Sequence, residues 1–180
     1  NVHPTSIIPD GCEIDENVTI GAYSIIGPNV KIGKNSKIHS HVLIDGNTII
    51  GFNNEIYSFS VLGSNPQHLK YQGEKTKLII GNYNIFREHV TIHPGTKVGI
   101  KKTIIGDNGF FMVGSHVAHD CLVGNNVVFV NNAGIGGHVE ISDFVYLGGQ
   151  SAVHQYCRIG KHAIIAVSYT HLRAHETSNH

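Results

Sequence analysis

The sequence predicts an all-β fold, a parallel β-helix of six-residue repeats, and three regularities predict it. An apolar residue, nearly always aliphatic, recurs at every sixth position over long stretches. A small or β-branched side chain stands two residues before nearly every one of them, as at Ser24, Val30, Ser36, Val42, Val127, Ala133, Val139 and Val145. Glycine often follows, as in IIGPNV, KIGKNS, LVGNNV and RIGKHA, and is expected to form the turn because a positive φ costs it little. A period of six suits neither a helix nor a hairpin meander. It suits short strands joined by turns that wind around a triangular prism, three hexads to a coil. Successive coils then stack as parallel strands about 4.8 Å apart, each aliphatic on another like itself. An antiparallel sandwich of short strands would not hold so strict a phase.

Along the chain, the first run carries the phase from Ile8 through Ile14, Ile20, Ile26, Ile32, Ile38, Ile44, Ile50 and Ile56 to Leu62. Residues 65–77, NPQHLKYQGEKTK, are polar and contain a proline, and the phase resumes at Ile80, eighteen residues after Leu62. An excursion is therefore expected to replace part of one coil. After Phe86 and Ile92 the phase jumps by thirteen to Ile105, and residues 97–102, KVGIKK, read as a projecting loop of the kind on which rigid scaffolds carry function. The last run continues from Ile105 through Phe111, Val117, Val123, Phe129, Ile135, Ile141, Leu147, Val153 and Ile159 to Ile165, and all twenty-four phase positions are apolar. From Val167 the pattern fails. The stretch VSYTHLRAHET resembles one reading frame of a transposase adaptor used in DNA library preparation. Residues 1–166 are accordingly expected to form the β-helix domain and residues 167–180 a non-native tail, whose His171, His175 and His180 should not count as ligands. The natural gene is expected to continue past this point, and a short leading piece is expected to precede Asn1, which is not a methionine.

Thirteen Lys and Arg balance thirteen Asp and Glu, so no net charge draws the protein to nucleic acid or to an anionic membrane. The three cysteines, Cys12, Cys121 and Cys157, form no CxxC pair and no even disulfide framework, which favours a reducing compartment. No apolar run approaches the roughly 20 residues of a membrane span, and no secretion signal precedes the first repeat. A cytoplasmic protein without a membrane span is expected. Twenty-one glycines, no Trp and one Met agree with short strands and tight turns.

Eleven histidines precede residue 167, and the densest cluster is GSHVAHDC, with His116, His119 and Asp120 within five residues. A coil of eighteen stacks Asp120 under His138 and sets His119 one residue from that column. A histidine can take a proton from a hydroxyl near neutral pH, and an adjacent carboxylate can orient it and stabilise its charged form. Backbone N–H groups near Gly136 and Gly137, in GIGGHV, could receive a developing oxyanion. His93 in VTIHPGT, and His154 with Gln155 in AVHQYC, fit the same picture, although a lone histidine reads more simply as a turn residue bonded to backbone. Cys121 and Cys157 fall on the small inward row, where a thiol is structural rather than nucleophilic. Asn131 and Asn132 are expected at a turn.

The strings NEIYSFSVLG, HLKYQGEKT, VTIHPGT, SHVAHDC, NNAGIGGHV and GGQSAVHQYC, in this order and spacing, resemble the acyltransferases that attach a 3-hydroxyacyl chain to UDP-N-acetylglucosamine at the start of lipid A synthesis. The likeness runs from about Val2 to Ala166. It implies a left-handed winding, which the usual crossover rule would not favour. It also implies a homotrimer with clefts between subunits, and 3-hydroxyacyl acyl carrier protein and UDP-N-acetylglucosamine as partners. Carried over residue by residue, His119 would be the general base, Asp120 its acidic partner and Gly137 the oxyanion donor. Gln67, His68, Lys70, His93, His116, His138 and Gln155 would line the substrate cleft. His68 is a departure, standing where relatives commonly carry an aspartate that contacts the sugar. The family's helical segment is expected to lie beyond this sequence.

No cofactor and no metal are expected, because a thioester already activates the acyl group. Zinc carbonic anhydrases of the same fold resemble the chain less, since they call for two histidines five apart and none occur before residue 167. The related N-acyltransferase of the same pathway usually carries an additional N-terminal domain. An ice-binding scaffold would present a regular Thr array, whereas these surfaces are irregular and rich in histidine. Lys70, Lys97, Lys101 and Lys102 on the two excursions are candidate contacts for the carrier protein.

Overall fold

The structure, a computed structural model, describes residues 1–171. Among these residues the chain forms three parallel sheets of eight strands each. The first face stacks Glu13–Ile14, Lys31–Ile32, Asn47–Ile50, Lys77–Ile80, Lys102–Ile105, Leu122–Val123, Glu140–Ile141 and Arg158–Ile159. The second face runs from Thr19–Ile20 to Ile164–Ile165, and the third from Ile25–Ile26 to Thr170–His171. Consecutive strands belong to consecutive faces, so the chain winds as a parallel β-helix, and the winding is left-handed. No helix among the described residues is long and apolar enough to cross a membrane.

Most strands hold two residues, the first turned outward and the second buried, because only two extended residues fit between successive corners. The register puts like on like: Ile14, Ile32, Ile50, Ile80, Ile105, Val123, Ile141 and Ile159 form one column of directly paired positions. On the second face Phe86, Phe111 and Phe129 are fully buried, with ring centroids 4.9 Å apart at each step. The inward row two residues earlier holds Ser24, Val30, Ser36, Val42, Val127, Ala133, Val139 and Val145, all buried.

The turns are built differently from the sequence expectation. The residue with positive φ is generally not the glycine after the aliphatic but a residue two places later, such as Asn35 (φ 58°), Asn126 (φ 55°) or His162 (φ 62°). The glycine serves a close approach. A Cβ on Gly33 would stand 2.6 Å from the carbonyl carbon of Gly51 in the next coil, and one on Gly124 would stand 2.8 Å from the amide nitrogen of Asp143. Gly63, with φ of 86°, is the exception that behaves as expected. Asn132 takes positive φ (59°) in the turn predicted for it.

Neither excursion replaces any part of a coil. Leu62 lies on the third face and Ile80 on the first, so the eighteen residues between them stand where six usually suffice. The additional residues are an insertion at one corner, and every face keeps its strand. The second excursion leaves the same corner one coil later, between Ile92 and Ile105. The two are tied together: the Lys97 N–H donates to Glu74 Oε1 at 3.1 Å, and the Thr76 hydroxyl donates to the Gly95 carbonyl at 2.6 Å. The winding also passes residue 166 by one strand, since Thr170–His171 pairs with Ala152–Val153. The rest of the expected tail, with His175 and His180, lies outside the described residues.

Candidate active site

The corner from which both excursions leave carries the histidine cluster. Asp120, His138 and Tyr156 occupy the same place in three successive coils and share positive φ (60°, 61° and 64°). His119, Gly137 and Gln155 precede them in a parallel column. The His119 carbonyl accepts the His138 N–H at 3.0 Å, and the Gly137 carbonyl accepts the Tyr156 N–H at 3.1 Å, so backbone bonds fix the vertical alignment.

His119 and Asp120 are both buried. His119 Nδ1 and Asp120 Oδ2 lie 2.8 Å apart, a hydrogen bond in which the imidazole N–H donates to the carboxylate. Asp120 also accepts from the Thr96 N–H (3.0 and 3.1 Å), the Thr96 hydroxyl (2.6 Å) and the Lys101 N–H (3.1 Å). One carboxylate thus orients the candidate base and fastens the second excursion. Burial pushes its pKa up, but the hydrogen bonds from His119 and Thr96 outweigh this and hold it below the usual aspartate value. With Nδ1 donating to Asp120, the lone pair of His119 is on Nε2. A methyl group at Gly137 would stand 2.7 Å from that nitrogen and 2.5 Å from Cε1, so glycine is needed there for the ring to fit.

Other imidazoles surround this pair. His68, on the first excursion, meets His119 edge-on with centroids 4.9 Å apart, and His138 does so from the next coil at 5.1 Å. His93 and His116 form a second edge-on pair at 4.9 Å. Burial, helped by His116 and His119, lowers the His93 pKa to about 4. Its neutral Nδ1 can then accept the Gln67 N–H at 3.4 Å, which holds the first excursion against the prism. Burial also lowers the His116 pKa, against a hydrogen bond with the Thr91 backbone, while its Nδ1 lies 2.7 Å from the Thr91 hydroxyl. For His138 burial again lowers the pKa, with Asp120 acting in the opposite direction. Cys121, wholly buried, has its thiol pushed up to about 12 by burial, which agrees with a structural role.

Of the predicted residues, His68, His93, His116, His119, Asp120, Gly137 and His138 come together directly. Gln67 joins them through its backbone, and Gln155 is exposed one coil above Gly137. Lys70 is exposed beside the fully exposed Leu69, and Lys97, Lys101 and Lys102 are exposed around the same corner. Three participants are not in the predicted set. Thr96 binds Asp120, Thr91 binds His116, and the Tyr156 ring stacks on His138 at 4.4 Å and 4°. Tyr156 follows from the spacing of Asp120, His138 and Tyr156, whereas nothing in the repeat pattern points to Thr96. A hollow of about 350 Å³ beneath the first excursion, lined by Asn47, Asn65, Tyr71, Glu74 and Thr76, contains none of the predicted residues. The histidine cluster lies elsewhere on this corner, with His93, His119 and Asp120 buried and His68, His116 and His138 half-buried.

Residues 11–46 match the family model described as bacterial transferase hexapeptide (six repeats). The structure is similar to UDP-N-acetylglucosamine O-acyltransferase from Moraxella catarrhalis, with a TM-score of 0.95 and 45% identity over 96% of this chain and 67% of that one. It is also similar to the UDP-N-acetylglucosamine acyltransferase of Bacteroides fragilis, with a TM-score of 0.66 and 36% identity over 90% of this chain and 69% of that one. The chain belongs to the UDP-N-acetylglucosamine acyltransferase family. A curated relative from Herminiimonas arsenicoxydans, named acyl-[acyl-carrier-protein]–UDP-N-acetylglucosamine O-acyltransferase, is 50% identical over 92% of the chain. The chain spans 63% of that relative's length. Within this acyltransferase family chain, the aligned stretch contains the entire corner described above, from the first excursion to Tyr156.

Proposed function

We propose that the chain forms the β-helix part of an enzyme that moves a 3-hydroxyacyl chain from the thioester of acyl carrier protein to the 3-position of the glucosamine in UDP-N-acetylglucosamine, the first step of lipid A biosynthesis. The observation that carries this reading is the buried His119–Asp120 pair, in a chain of this family, with Nε2 of the imidazole held against Gly137. As the sugar hydroxyl oxygen attacks the thioester carbonyl, His119 Nε2 takes its proton and Asp120 stabilises the imidazolium. The Gly137 N–H receives the negative charge on the former carbonyl oxygen. Collapse of the tetrahedral intermediate breaks the C–S bond, and the imidazolium returns the proton to the departing thiolate. Gln67, His68, Lys70, His93, His116, His138 and Gln155 hold the two substrates around this point.

The half-buried His68, His116 and His138 and the exposed Gln155 at this corner support a homotrimer with the cleft completed by a neighbouring subunit. A cytoplasmic location fits the three free cysteines. The reaction as written needs no metal, so chelator treatment should leave turnover intact.

The decisive experiment is His119→Ala in the assembled protein. General-base catalysis contributes about 10²–10⁴ in rate, so turnover should fall by that factor while substrate affinity changes much less. The inward rows are untouched and the fold should survive. His116→Ala should cost less. A trimeric His119→Ala protein that keeps more than about a tenth of wild-type turnover would assign the base to another group.

A further inference from the structure

One ligating atom from each of His119, Asp120 and His138 can be chosen so that all three lie within 4.8 Å of one another. Two imidazole nitrogens and one carboxylate oxygen are a donor set suited to zinc, at metal–ligand distances of about 2.0–2.2 Å. A tetrahedral ion needs its ligands about 3.3 Å apart. The His119 Nδ1 to Asp120 Oδ2 separation, 2.8 Å, must therefore open slightly, and His138 must close in. The latter is feasible because His138 is only half-buried, at a corner. His68 stands beside the same ring, and its Nδ1 accepts the Lys70 N–H at 3.2 Å, which leaves Nε2 as its remaining ring nitrogen.

We infer that His119, Asp120 and His138 form an inhibitory site for a zinc-class divalent cation, with His68 at hand as a further ligand. The ion takes the place of the hydrogen between His119 Nδ1 and Asp120 Oδ2. The ring proton moves to Nε2, so the imidazole stays neutral and no proton is released, but the lone pair that would accept the sugar proton is gone. Coordination through Nε2 would occupy the same lone pair directly. Asp120 keeps its bonds from Thr96 and Lys101, so the second excursion stays anchored while the ion is bound. Magnesium and calcium, which favour all-oxygen shells, should not compete. The inhibition rests on the general-base reading above, whereas the binding does not.

Equilibrium dialysis of the full-length protein against Zn²⁺ separates the two. Wild type should bind one zinc per chain in competition with a weak chelator, with excess Mg²⁺ having no effect. His138→Asn keeps a residue that tolerates positive φ and removes a ligand. It should weaken binding by at least about tenfold, since losing even an outer-shell partner costs about 10–100-fold. His162→Asn, at a corner with the same backbone shape but away from the cluster, should bind like wild type. Turnover should fall in proportion to occupancy and return when a chelator is added. Zinc held equally by wild type and His138→Asn, or no stoichiometric zinc in wild type, overturns the site. Bound zinc with full turnover overturns the inhibition. Bound zinc in a protein that shows no acyl transfer even when metal-free counts against the proposed function and leaves the site standing.

Discussion

At Gly137 one methyl group decides whether the His119 ring can keep its place. The backbone there is not in the left-handed region, so Gly137→Ala brings no conformational strain, yet the new Cβ would lie 2.5–2.7 Å from the His119 ring. Gly137→Ala should therefore lose turnover on the scale of the His119→Ala loss, about 10²–10⁴, with UDP-sugar affinity changed less and stability lowered by about 1–3 kcal/mol through overpacking. Full activity in this variant would mean that the imidazole can work from another position. Cys121 gives a prediction of the opposite kind. Its thiol is wholly buried and pushed up to about 12, so it should resist alkylation at neutral pH until the protein unfolds, whereas half-buried Cys12 should react first. At this scale His119, Asp120 and His138 were legible because a coil of fixed length converts spacing directly into adjacency. Thr96 was not legible, because it reaches Asp120 from an insertion whose path no periodicity specifies.

Strands and corners were legible to different degrees. Every aliphatic column followed from the period, since burial requires the same face to recur at each coil. The role of glycine was misread because the sequence pattern alone does not separate a need for positive φ from a need for close approach between coils. Within the core, Phe111 packs between Phe86 and Phe129, and Phe111→Ala should cost about 3–5 kcal/mol in denaturant unfolding. The excursions depend on two polar anchors whose responses to pH have the same sign but different windows. An unfolded His93 is protonated below its ordinary value of 6.5 and the folded residue only near about 4. Stability present above 6.5 is therefore lost as the pH falls through this interval, by up to about 3 kcal/mol. Asp120, held below the usual aspartate value, contributes stability that is lost at still lower pH. Melting curves of wild type and His93→Gln between pH 7 and pH 4.5 should converge towards the acid end if His93 is the sensor. Asp120→Asn should, at neutral pH, speed amide exchange at Thr96 and Lys101, whose N–H groups lose their charged acceptor.

For the molecule as a whole, the proposed cleft between subunits predicts about three chain masses in sedimentation of the full-length protein, and a stable active monomer would remove its basis. The lysines around the excursions predict that donor binding weakens with salt. Charge reversal at Lys70, Lys97, Lys101 and Lys102 should raise the apparent KM for the carrier protein, and an unchanged value would assign docking elsewhere. Each coil touches only its neighbours, so the prism grows by addition along one axis. Both excursions leave this stack at a corner and return in phase, and every column above and below them keeps its partners. Descent is affected by that arrangement. A lineage can lengthen, shorten or exchange either segment by small insertions and deletions in its gene without disturbing the pairing of any strand. The side chains that the excursions bring to this corner can then change through a series of folded ancestors, except where Thr96 and Lys101 hold Asp120.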